Sequence, residues 1–105
     1  MLRIYPVCLS MVREVRPYIE RVARFDRDLA RQLRKSSTSV PLNVAEGSGL
    51  RGGRRRQTYE YALGEARETL ANLETAESAG YFRHIEPALR ARFDHIIGTL
   101  VKLVR

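Results

Sequence analysis

The sequence predicts an all-α fold: an antiparallel up-and-down four-helix bundle, one domain over residues 1–105. Three observations carry this. Apolar residues recur at three- and four-residue steps in four separate stretches, no stretch alternates like a strand, and the breaks between stretches are short enough to force neighbouring helices antiparallel. A chain of 105 residues has room for a single core. Its 44% hydrophobic and 30% charged residues are those of a folded chain rather than a disordered one.

The first helix follows the seam Ile4, Cys8, Met11, Val15, Tyr18, Val22, Phe25, which lays one apolar stripe along its length. A second row, Tyr5, Val12 and Ile19, runs beside it. Pro6 suits a first turn, where its missing N–H goes unused. Pro17 removes a hydrogen bond and crowds the Arg13 carbonyl, so a kink is expected there, with the helix resuming through Arg24. Asp26 reads as the N-cap of the next helix, and Asp28 complements the positive end of its dipole.

The second helix places Leu29, Leu33, Ser36 or Ser37, Val40 and Val44 on one face. Its hydroxylated middle, Ser36 to Ser39, can bond back to carbonyls and bend the helix without breaking it, before Pro41 interrupts. Gly47, Gly49, Gly52 and Gly53 end the pattern. The third helix runs from about Arg54 to Ala79 with the seam Tyr59, Leu63, Ala66, Leu70, Leu73, and Gly80 is placed as its stop. Tyr81 and Phe82 then close the end of the core. The fourth helix starts near Pro87 and carries Leu89, Phe93, Ile96, Leu100 and Leu103, with a second row of Ile97, Val101 and Val104. Double rows on the first and fourth helices fit either a thicker core or contact with another subunit. Oligomerisation is the reading preferred, because monomers avoid exposing such rows.

Residues 33–49, LRKSSTSVPLNVAEGSG, contain the string Ser39-Val40-Pro41-Leu42-Asn43-Val44-Ala45-Glu46-Gly47. This resembles the motif of the four-helix-bundle proteins encoded in intervening sequences of bacterial 23S rRNA genes. Tyr59, Gly64, Glu68, Leu73 and the Gly80-Tyr81-Phe82 end resemble that family's third helix. Two positions depart from it: Glu65 stands where a small serine is usual, and Arg54-Arg55-Arg56 is more basic than the common form. The resemblance implies a homopentameric, ring-like barrel of bundles without catalysis. It also implies kinship in architecture with accessory proteins of diversity-generating retroelements, which bind nucleic acid and a reverse transcriptase. Within the motif, Ser39, Pro41, Asn43, Glu46 and Gly47 are read as structural, with Asn43 and Glu46 satisfying backbone groups freed near Pro41 and the helix end.

Lys and Arg number 19 against 12 Asp and Glu, a net charge of +7. The excess is localised. Residues 1–56 hold 13 basic and 5 acidic residues, net +8, while residues 57–105 hold 6 and 7, net −1. Arg24, Arg27, Arg31, Arg34 and Lys35 recur at helical steps, and Arg51, Arg54, Arg55 and Arg56 crowd the following glycine-rich loop. Arginine forks two donors onto a phosphate, so these residues are the candidate nucleic-acid-binding set, for RNA or DNA. Few aromatics interleave with them, and any recognition is therefore of backbone and shape. An acidic protein is the alternative partner.

Enzyme chemistry finds little footing. His84 and His95 with the single Cys8 form no metal-ligand set, so neither metal nor cofactor is expected, and Cys8 alone excludes an intramolecular disulfide. No serine or cysteine has a histidine-and-acid arrangement, and the glycine-rich loop is not a phosphate-binding P-loop. Arg90 and His95 have the arginine-four-residues-histidine spacing that resembles HEPN-type ribonucleases, in which the histidine moves protons while the arginine stabilises phosphate charge. Ala91 stands where those enzymes usually carry a polar residue, and such matches are cheap in an arginine-rich chain. With no signal-peptide pattern and no apolar run near the ~18 residues a bilayer demands, a cytoplasmic protein away from membranes is expected. The functional expectation is a non-enzymatic oligomeric scaffold that binds nucleic-acid backbone. The alternatives are a protein-interaction adaptor and, third, a ribonuclease.

Overall fold

The computed structural model describes residues 2–105, which form four helices: α1 (Ile4–Val22), α2 (Arg27–Ser48), α3 (Gly52–Ser78) and α4 (Pro87–Val104). No strand occurs among them. Each helix packs on its neighbours in sequence, and α4 returns to close against α1. Cross-contacts fix the directions. Arg92 meets Glu14 while Glu86 meets Tyr18, so α1 and α4 are antiparallel; Arg56 meets Val104 while Arg90 meets Glu74, so α3 and α4 are too. The 27 residues of α3 rise about 40 Å at ~1.5 Å each. That accounts for the 42 Å long axis of a body 25 and 20 Å across.

The core follows the heptad seams. Ile4, Cys8, Met11, Val15 and Val22 of α1 are buried, as are Leu33, Val40 and Val44 of α2, Leu73 of α3 and Phe93, Ile96 and Leu100 of α4. Burial pushes the Cys8 thiol up to about 11, so it stays protonated and unreactive. Leu29, Leu70 and Leu103 lie half-buried at the edge of the core, and two seam positions of α1 differ from expectation. Ile19 takes the buried place and leaves Tyr18 half-buried, because a 3.6-residue period drifts away from a strict heptad. Phe25 is 63% exposed because α1 ends at Val22, short of the expected Arg24. Residues 23–25 turn the chain instead, and the Phe25 ring stacks on Tyr81 at 5.1 Å. Asp26 is extended and its Oδ1 accepts from the Leu29 N–H at 2.9 Å, the expected cap.

Both internal prolines sit within continuous helix. Pro41 does not interrupt α2. The hydroxyls before it bond back one turn, Ser37 Oγ to the Arg34 carbonyl at 3.2 Å and Ser39 Oγ to the Lys35 carbonyl at 2.8 Å. Asn43 donates from Nδ2 to the Ser39 carbonyl at 2.9 Å, as its structural reading requires. Glu46 does not share that work: its side chain is exposed and makes no ion pair among the described residues. Gly47 also differs from its expected role as a stop, for it lies buried inside α2. A Cβ there would stand 2.4 Å from Tyr59 Cε1, so the missing side chain is what lets α3 lie so close. About three turns away on the same seam, Thr69 Oγ1 lies 2.8 Å from both Ser36 Oγ and the Glu65 carbonyl. With one proton to give, Thr69 donates to the carbonyl and accepts from Ser36, a buried polar clasp between α2 and α3.

The glycine-rich connection shrinks to residues 49–51, and α3 begins at Gly52 with φ of +58°. Arg54, Arg55 and Arg56 therefore stand in the first turn of α3, not in a loop. At the far end Gly80 has φ of +82°. The Tyr81 N–H reaches the Ala76 carbonyl and the Gly80 N–H the Glu77 carbonyl, both at 3.0 Å, a Schellman stop. Phe82 then turns inward, its ring edge-on to Tyr18 at 4.8 Å, and closes the core as expected.

Candidate nucleic-acid interface

The first turns of α2 bury Ala30 and Leu33, which turns Arg27, Arg31, Arg34 and Lys35 outward. Arg31 pairs with Asp28 at 3.3 Å, an exposed pair worth at most ~1 kcal/mol and readily exchanged for a phosphate. Arg27, Arg34 and Lys35 have no ion pair within the described residues. Arg24 belongs to the preceding turn rather than to the α2 stripe.

The stripe is wider than α2 itself. Arg34 lines a shallow groove against α1 together with Arg13, Arg16, Val12, Ile19 and Thr38. Arg13 and Arg16 were not singled out from sequence, although their three-residue spacing places them on one face of α1. On the other flank Lys35 approaches Glu65 of α3. Burial raises the Glu65 carboxyl from its ordinary value, and Glu68 adds to this while Lys35 opposes it. The one unusual acid in the resembled motif therefore lies beside the basic stripe.

The second basic group divides by role. Arg55 donates from Nε to the Leu50 carbonyl at 2.7 Å and from Nη2 to the Ser48 carbonyl at 3.4 Å, so it caps the C-terminal end of α2. Arg56 donates to the Val104 carbonyl at 2.6 Å and faces Glu60 at 3.4 Å, which ties α3 to the end of α4. Arg51 and Arg54 remain exposed, without ion pairs among the described residues. All four cluster at an α3 N-terminus with no acid in its first turn, so the helix dipole adds to their positive potential. Thirteen residues of helix separate Lys35 from Ser48, about 20 Å. The two basic groups are thus distinct patches, and at ~3.4 Å per phosphate along a strand about six nucleotides bridge them.

Arg90 is held by Glu74 at 3.2 Å and Glu77 at 3.5 Å, while His95 is exposed on α4. Among the described residues no cluster of three or more His, Cys, Asp or Glu is placed to hold a metal ion, and no helix is long and apolar enough to cross a membrane.

The family model of the 23S rRNA-intervening sequence protein matches residues 2–102. A crystal structure of a protein of unknown function from the S23 ribosomal protein family of Bacteroides thetaiotaomicron superposes with a TM-score of 0.81 at 17% identity. The superposition covers 97% of this chain and 98% of the other, and at that identity it speaks for the fold alone. No curated protein matches this chain.

Proposed function

The chain belongs to the 23S rRNA-intervening sequence protein family, and from that premise we propose that it acts as a non-enzymatic oligomeric scaffold binding the backbone of RNA or DNA. The observation that carries the reading is the set of exposed cations that form no ion pair among the described residues: Arg27, Arg34 and Lys35 on α2, with Arg51 and Arg54 beyond its other end. Solvated arginines that stabilise nothing in the fold are free to neutralise phosphates. Engagement of Arg90 by two glutamates leaves His95 without a free arginine partner on its helix, which favours a scaffold over a nuclease.

Assembly into a ring, a homopentamer by the resemblance, multiplies the two patches by symmetry and turns weak sites into a multivalent one. The half-buried rows Tyr5 and Val12 on α1, and Ile97, Val101 and Val104 on α4, support such assembly. They flank the core yet are not enclosed by it.

The test is a binding titration across a salt series. Affinity should fall with a log–log slope of about −0.9 per phosphate contact on duplex. Replacing Arg27, Arg34 and Lys35 together by alanine should weaken binding to all sequences alike and flatten that slope. Binding undiminished in this variant, or absent at low salt, would give the basic face to an acidic protein partner instead.

A further inference from the structure

A cleft of about 730 Å³ opens between α1 and the start of α4; it shares Arg13 with the groove beside Arg34 but includes no residue of α2. Its size lies within the ~300–1,000 Å³ of small-molecule sites. Arg13, Pro17 and Arg21 succeed one another at four-residue steps on α1 and so share one face; Arg83 enters from the α3–α4 connection. Tyr18 and Leu89 supply the apolar part of the wall.

The charges in the cleft do not cancel. Glu14 is held by Arg92 at 2.7 Å, and Glu86 faces His84 at 3.4 Å. Arg21 and Arg83 have no ion pair among the described residues, and Arg13 reaches only Ser10 Oγ at 3.2 Å. Three guanidinium groups thus border one concavity against a single carboxylate without a permanent cation, Glu86, whose partner His84 is charged only when protonated. The aromatic wall is fixed in place. The Tyr18 hydroxyl accepts the Glu86 N–H at 2.9 Å, and its ring rests edge-on against buried Phe82.

We propose that this cleft binds a nucleotide phosphate, the phosphate held by Arg13, Arg21 and Arg83 and the base set against Tyr18 and Leu89. Guanidinium forks match phosphate oxygens two at a time, and planar bases stack on aromatic rings. Inorganic phosphate satisfies the arginines but leaves the apolar wall bare, so a nucleotide binds more tightly. The same chemistry is offered by a free nucleotide and by the phosphorylated end of a strand.

Calorimetric titration with adenosine 5′-monophosphate, adenosine and inorganic phosphate tests the site. Fluorescence anisotropy of one oligonucleotide carrying either a 5′-phosphate or a 5′-hydroxyl tests the source. The monophosphate should bind at least tenfold more tightly than either adenosine or phosphate, and the double variant Arg21→Ala/Arg83→Ala should lose that advantage with its helicity unchanged. The Arg27→Ala/Arg34→Ala/Lys35→Ala variant should bind the monophosphate as wild type does, so the cleft and the α2 stripe stand or fall separately. A preference for the phosphorylated oligonucleotide that Arg21→Ala/Arg83→Ala abolishes assigns the ligand to strand ends; monophosphate binding without that preference assigns it to free nucleotide. Adenosine binding as tightly as its monophosphate, no monophosphate binding at low salt, or a double variant equal to wild type overturns the proposal.

Discussion

Replacing Gly47 by alanine tests the close approach of α2 to Tyr59 of α3. The added Cβ would stand 2.4, 2.7 and 3.2 Å from Cε1, Cδ1 and Cζ of Tyr59, where carbon atoms pack at about 3.5–4.0 Å. Relief therefore takes roughly 1 Å of movement between α2 and a ring that is only 4% exposed. Tyr59 has no open side to swing toward, so the helices must separate or the ring must leave its rotamer. Overpacking of this kind costs about 1–3 kcal/mol. Against it stands a gain of at most about 1 kcal/mol for exchanging a helical glycine for alanine, reduced here because Gly47 lies in the last turn of α2. A contact as short as 2.4 Å belongs in the upper half of the overpacking range, so a net loss of about 1–2 kcal/mol is expected.

Thermal unfolding at matched protein concentration reads this out, at roughly 4–8 °C per kcal/mol for a domain near this size. Gly64→Ala and Gly98→Ala are the controls. Both glycines lie within helices with nothing inside 4 Å of an added Cβ, and both variants should hold or raise the midpoint. In a Tyr59→Leu background the ring is gone, and Gly47→Ala should there be neutral or stabilising, a coupling of about 1–2 kcal/mol. A Gly47→Ala protein as stable as Gly64→Ala would refute the account of this glycine as a packing requirement.

Four further outcomes are expected. Val12→Asp or Ile97→Asp should reduce the particle mass measured by light scattering with helicity largely kept, and a wild-type particle of 12.1 kDa at micromolar concentration would end the oligomer reading. Arg55→Ala removes the bonds to the Leu50 and Ser48 carbonyls and should lower stability in urea titration by roughly 0.5–1 kcal/mol; Arg54→Ala should weaken polyanion binding with no such loss. Because the folded state raises the Glu65 carboxyl, it holds that proton more tightly than the unfolded chain does, and this group's contribution to stability falls as pH rises through the carboxylate range. Glu65→Gln should flatten that limb of the pH–stability curve, and superimposable curves would count against it. His95→Ala should leave every activity intact, whereas loss of an RNA cleavage activity with the fold preserved would move the protein to the nucleases.

The helices were legible because their signals are local. Asp26 caps α2 and Gly80 stops α3 as their chemistry demands, and both depend on residues within one turn. The misreadings arise where distant contacts decide. Gly47 reads as a helix stop until Tyr59, twelve positions on, is seen lying across it. Phe25 continues the heptad by spacing, but Asp26 commits the backbone to an extended cap next to it, and the ring finds Tyr81 instead. Pro41 reads as an interruption because its missing N–H is visible in sequence. What holds the surrounding helix, the packing of α3 through Thr69 and Tyr59, is not.

The basic residues show the same limit from the functional side. Charge is additive along a sequence, so the excess in the first half was countable, but whether an arginine is available for a ligand depends on which carbonyl or carboxylate it already serves. Arg54, Arg55 and Arg56 are indistinguishable as letters. In the fold Arg55 caps α2, Arg56 holds the end of α4, and Arg54 alone of the three is unengaged. The reverse holds for Arg13, Arg21 and Arg83. They are scattered over seventy positions and read as ordinary solvated charges, yet the antiparallel return of α4 onto α1 brings them around one cleft. An arginine count in a bundle of this kind is therefore an upper bound on its anion-binding residues within any one segment. Across segments it is a poor guide to where they gather, because helix packing, not sequence proximity, sets which guanidinium groups can share a phosphate.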